Sequence, residues 1–132
     1  MCGVLALALG EGSASHAATY AWTPTAAGTY SWLLSGNWTP VPPALAGFPG
    51  LVGDQANLNN AILGNQIVSL NQTVNLGTLL LGGAGSNAFN LQPGASSMGV
   101  AGYLNMDAIG SGTAAITKVS GGNDSIFTGI QF

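Results

Sequence analysis

Arginine is missing from this sequence, and Lys118 is its only lysine; with three Asp and one Glu the formal net charge is −3. Charged residues are 4% of the chain, against about 25% in an ordinary globular domain. One Lys cannot build the basic patch that a nucleic-acid binder needs. A charge-laced coiled coil is excluded on the same ground. The single cysteine, Cys2, has no internal disulfide partner and makes no metal site alone. The single histidine, His16, lies close to the N-terminus. Without it the chain has neither a Ser–His nor a Cys–His nucleophile pair. No apolar run approaches the roughly 20 residues that a membrane-spanning helix takes.

Neutral polar residues take the place of charge: 11 Asn, 11 Ser, 10 Thr and 5 Gln, together with 21 Gly. Ser, Thr and Asn compete with the helical backbone for its hydrogen bonds, so this composition favours strands and turns. The fold class expected is all-β. At 132 residues, one domain is the starting expectation.

Three regions follow from composition. Residues 4–9 read Val-Leu-Ala-Leu-Ala-Leu, and Ser15-His16-Ala17 then supplies a small-x-small pattern. Residues 1–17 therefore read as the end of a signal peptide with cleavage before Ala18, although no positive segment precedes the apolar run. Residues 18–54 hold all three tryptophans, Trp22, Trp32 and Trp38, and five of the six prolines. Pro40, Pro42, Pro43 and Pro49 break regular structure. This region reads as a cap whose aromatic rings close one end of the core. A sugar-stacking platform on exposed Trp32 and Trp38 is the rival reading. Asn37-Trp38-Thr39 and Asn71-Gln72-Thr73 match the glycosylation sequon, which is short enough to recur by chance.

Residues 55–132 carry the clearest pattern. Val68, Leu70, Val74 and Leu76 sit at even positions, with Ser69, Asn71, Thr73 and Asn75 between them. Alternation of this kind places apolar side chains on one face of a strand. Gln72 interrupts the apolar face and marks a bend. At Gly77 the parity changes, and Leu79 and Leu81 become the apolar positions, as a corner requires. Short segments around Phe89 and Leu91, Leu104 and Met106, and residues 115–119 follow, separated by Gly, Asn, Ser and Asp turns. Met98 and Val100 mark a further short apolar segment. Residues 73–79 align with residues 125–131 at an offset of 52, Gly77 falling on Gly129, which suggests two coils of about 26 residues. Three short strands with corners between them make a β-helix rung, which buries its apolar side only by stacking on neighbours. A β-sandwich is the competing arrangement, with longer hairpin-paired strands. The inward set expected is Val74, Leu76, Leu79, Phe89, Leu91, Leu104, Met106 and Ile126.

The order Trp32, then Gly36-Asn37-Trp38, a Pro-rich loop, Gly53-Asp54-Gln55-Ala56-Asn57 and Thr73-Val74-Asn75-Leu76-Gly77-Thr78-Leu79-Leu80-Leu81-Gly82 resembles the passenger start of bacterial autotransporter-like proteins. It also resembles extracellular proteins with autotransporter-associated β-strand repeats, some with a Pro-Glu-Pro sorting tail. The resemblance covers about residues 20–132. It implies a right-handed parallel β-helix on a bacterial surface, with this chain as the opening of a longer protein, since no translocator barrel or sorting tail is present.

Little chemistry is offered. A glycoside hydrolase needs two carboxylates about 5–9.5 Å apart; Asp107 with Asp124, or Asp54 with Asp107, are the candidates, against turn carboxylates as the plainer role. Gly121-Gly122-Asn123-Asp124 matches part of a Ca²⁺-binding repeat in one copy, too few oxygens for the ion. Gly82-Gly83-Ala84-Gly85 has no Lys-Ser/Thr after it and is no phosphate loop. The function expected is non-enzymatic: a secreted or cell-surface structural or adhesin-like segment with no catalytic residue, metal or cofactor. Its expected partners are a surface glycan or host matrix ligand and, through an open C-terminal rung, a second copy; no nucleic acid is expected. The alternative is a polysaccharide-binding or polysaccharide-cleaving β-helix using Trp32, Trp38, Asp107 and Asp124.

Overall fold

The computed structural model describes residues 17–95 and 101–132. The expected signal segment up to His16 and the Met98 and Val100 strand lie outside the described residues. Among the described residues strands form where the alternation appears in the sequence. In chain order they are β1 (Thr19–Trp22), β2 (Gly28–Ser31), β3 (Trp38–Val41), β4 (Gln55–Leu58), β5 (Gln66–Leu70) and β6 (Val74–Leu76). They continue with β7 (Thr78–Leu81), β8 (Phe89–Pro93), β9 (Tyr103–Met106), β10 (Ala115–Lys118), β11 (Ser125–Ile126) and β12 (Gly129–Gln131). One 3-10 turn, Ser35–Asn37, precedes β3.

The strands assemble into three sheets, in the orders β10-β7-β4-β1-β3, β11-β8-β5-β2 and β12-β9-β6. Every pair is parallel except β1 with β3. From β4 onward each strand pairs with the strand three places further along the chain, which is coarsely the pattern of a β-helix-like solenoid. β1 pairs with β4 and β2 with β5, so residues on both sides of the expected boundary at 54 share two sheets.

Parity decides what is buried. Val68, Leu70, Val74, Leu76, Leu79, Phe89, Leu91, Leu104 and Met106 form the core with Ala56, Leu58 and Leu81. Ile126, also expected inside, is only half-buried and packs against the edge of this cluster. β11 pairs with β8 alone, so Ile126 has a neighbouring strand on one side only. A bend falls at Asn71 and Gln72. At Gly77 the chain turns, and a Cβ there would stand 2.8 Å from the Gly53 backbone. No side chain fits that approach, so the glycine is what lets the two segments meet at this turn.

The repeat differs from the expected one. The register step is 23 residues from Gln55 to Thr78 but 37 from Thr78 to Ala115. In the third sheet Val74, Leu104 and Ile130 share one column. Gly129 therefore falls one position before the column of Val74, and not on Gly77 as the sequence alignment had it. Loops of unequal length between strands cause the mismatch, because lengthening a surface loop costs little free energy.

β3 lies at the edge of its sheet and holds Pro40 opposite Tyr20. Proline lacks an N–H to donate, and an edge strand has a side that needs none. Antiparallel β3 thus covers the first coil, with Trp38 in register with Trp22.

Candidate functional site

Three places bring polar chemistry together. The first is the aromatic end. Trp32 is fully buried, Trp22 and Trp38 nearly so. The Trp22 and Trp38 rings meet edge to face at 4.8 Å, as do Trp32 and Trp38. Such contacts add to the burial of three large rings. Each indole N–H has an acceptor: Trp32 donates to the Pro49 carbonyl, Trp38 to the Trp32 carbonyl, and Trp22 to Gln66 Oε1, all at 2.8 Å. Trp32 and Trp38 present no ring face to solvent, so a sugar has nothing to stack on at the two positions considered for glycan contact. The rings belong to the core cluster instead. Asn37, of the first sequon, is buried too and donates to the Ser31 carbonyl.

Gln66 is the residue that pattern reading overlooks. It occupies an apolar-parity position of β5 and is fully buried. Its amide accepts from Trp22 and donates to the carbonyls of Pro24 at 3.0 Å and Ala26 at 2.7 Å. A polar residue in phase with Val68 and Leu70 was the available signal.

The second place is Asp54, just before β4. Its carboxylate is 1% exposed. Oδ1 accepts the Ala18 backbone N–H at 3.0 Å, and Oδ2 accepts those of Gly50 and Leu51, each at 3.0 Å. The carboxylate thereby ties the start of β1 to the loop that crosses over it. The Asp54 carbonyl accepts from Gly77 and Thr78, joining the next corner to the same point. Tyr20 senses the site: burial first, and the Asp54 charge second, push its phenol above the ordinary range.

The third place is the turn at residues 121–124. Lys118 Nζ donates to the Gly122 carbonyl at 2.8 Å and pairs with Asp124 Oδ2. Asp124 Oδ1 accepts the Phe89 N–H at 2.7 Å. The turn is thus closed by a lysine ammonium. Asp107 is exposed and leaves β9 through backbone bonds to Leu76 and Gly53. The three aspartates therefore differ in kind. Asp54 and Asp124 spend their oxygens on backbone N–H groups and a lysine, and only Asp107 faces water.

Among the described residues no three His, Cys, Asp or Glu side chains gather where they could hold a metal ion. An apolar cleft of about 410 Å³ opens beside β1 and β3, lined by residues that include Tyr20, Val41, Pro43 and Leu51. No helix among the described residues is long and apolar enough to cross a membrane. On the outer face, Asn75, Asn105 and Gln131 share a column, and Asn105 donates to Asn75 Oδ1 at 2.8 Å. Amide ladders of this kind satisfy neighbouring strands without charge. Comparison of the chain with family models, with characterised proteins and with solved structures finds no match.

Proposed function

We propose that this chain is a segment of a right-handed parallel β-helix that serves as a non-enzymatic scaffold, spacer or adhesin-like, in a secreted or cell-surface bacterial protein of the autotransporter-like kind. One observation carries the reading: strands of successive coils pair in parallel register in three sheets, while the two buried carboxylates are consumed in holding loops. Stacked coils give length and a polar outer face, and loops leaving them can vary without disturbing the core. The neutral outer face of Asn, Ser and Thr suits contact with glycans or matrix through hydrogen bonds. The enzymatic alternative through Asp107 and Asp124 is not favoured, because Asp124 is occupied by Lys118 and Phe89.

Fractionation of cells that make the full-length protein, combined with a turnover assay on neutral and acidic polysaccharides, tests this. The expected result is protein in the medium or surface fraction and no product. Retention in the cytoplasm overturns the location. Turnover lost in Asp107→Asn overturns the scaffold reading.

A further inference from the structure

The Ala18 N–H points at a buried carboxylate that has no cationic side chain beside it among the described residues. Asp54 accepts three backbone N–H groups, and the one lysine of the protein is paired elsewhere, with Asp124. Ala18 is held from both sides: its nitrogen reaches Asp54 Oδ1 at 3.0 Å, and its carbonyl accepts the Gln55 N–H at 2.7 Å. Ala17, by contrast, is exposed. The bond between them is also the one that the small-x-small pattern Ser15-His16-Ala17 marks for cleavage. The sequence pattern and the hydrogen bond locate the same nitrogen independently.

We infer that hydrolysis of the Ala17–Ala18 bond creates an α-ammonium group that forms a buried ion pair with Asp54, so that maturation itself locks the first coil. The inference rests on the reading of the chain as exported. Water and a signal endopeptidase suffice for the covalent step. The C–N bond breaks, the hydroxyl of water goes to the Ala17 carbonyl, and its hydrogen goes to the Ala18 nitrogen. The released amine then takes a proton from solvent. An amide offers Asp54 one hydrogen; the ammonium offers three, and a charge. Oδ1 accepts the Ala18 N–H, and the positive charge on the ammonium shortens and strengthens that same contact.

The charge has a stated direction. A carboxylate in contact favours the protonated amine and raises its pKa above the ordinary value of about 7.7–8.0. The stabilisation is then fully present below that ordinary value and lost as pH rises through the raised one. Among the described residues the other titratable groups at the site are the Tyr20 phenol, itself raised in part by Asp54, and the exposed Asp107, whose carbonyl accepts the Gly53 N–H. Both are acids, and neither supplies a competing cation.

The test uses protein recovered from the medium or surface of cells that make the full chain. N-terminal sequencing identifies the first residue. The rate of reductive dimethylation of the α-amine is then followed from pH 6 to 10, folded and in urea. The expected result is Ala18 as the first residue, with the labelling midpoint at least about one pH unit higher in the folded protein than in the unfolded. Near pH 8 that corresponds to several-fold slower labelling. A chain that still begins upstream of the apolar run overturns the exported reading and this inference together. A first residue other than Ala18 in exported protein overturns the inference alone. So does an Ala18 amine whose midpoint is the same folded and unfolded. The urea comparison needs no variant, and Asp54→Asn, where it folds, should abolish the difference.

Discussion

The two ends of the sheets are built from similar short strands and are buried very differently. At one end, β1 and β3 carry Trp22 and Trp38 at 2% and 4% exposure, and Trp32 beside them at 0%. At the other, Phe127 is 66% and Ile130 41% exposed, and β10, β11 and β12 are the edge strands of their sheets. Apolar content does not separate the two. Cover does: β3 returns antiparallel over β1, and the loop through Pro49 folds across the rings and receives the Trp32 N–H. A strand in this architecture is as buried as its neighbours on both sides make it.

The contrast is broken most forcefully at Trp32. Trp32→Ala leaves a ring-sized void at a fully buried position and should cost about 3–5 kcal/mol in denaturant unfolding. Phe127→Ala should change stability by no more than about 0.5 kcal/mol. Equal effects at the two positions would mean that the ends are equally packed. A smaller difference is expected at the glutamines. Gln66→Leu strands the buried Trp22 N–H, while the Pro24 and Ala26 carbonyls keep Asn60 and Tyr30 as donors, at a cost of roughly 1–3 kcal/mol. Gln131→Leu, on the exposed β12, should fall within about 0.5 kcal/mol. The smallest effect is the titration of Tyr20. Its folded pKa is raised, so the folded state holds its proton longer than the unfolded one. Stability is therefore unaffected below the unfolded tyrosine value of about 10 and declines as pH rises above it. Tyr20→Phe should flatten that part of the wild-type profile.

Much of the core was legible because strand alternation is local. Val74 and Leu76 before Gly77, and Leu79 and Leu81 after it, point inward as their parity requires, and the parity change marks a real corner. The burial of the tryptophans was legible because large rings beside a Pro-rich stretch gain most by covering apolar surface. Ile126 was misread because its parity is correct but its burial depends on a second neighbouring strand. Gln66 was missed as an organising residue because its partners lie 40 to 44 positions away in the chain; Asp54 binds the nearby Gly50 and Leu51 as a turn carboxylate does, and only its bond to Ala18, 36 positions away, was out of reach of local reading.

The sequence by itself determined the all-β class, the inward parity of the strands and the corner at Gly77, since each depends on side-chain direction within a few residues of backbone. Only the tertiary structure decided which strand stacks on which, the coil steps of 23 and 37 residues, the antiparallel turn of β3 and the carboxylate beneath the Ala18 nitrogen. Those choices are made by loops, whose lengths vary at small entropic cost, and by hydrogen bonds between groups that only the folded chain brings within 3 Å of one another.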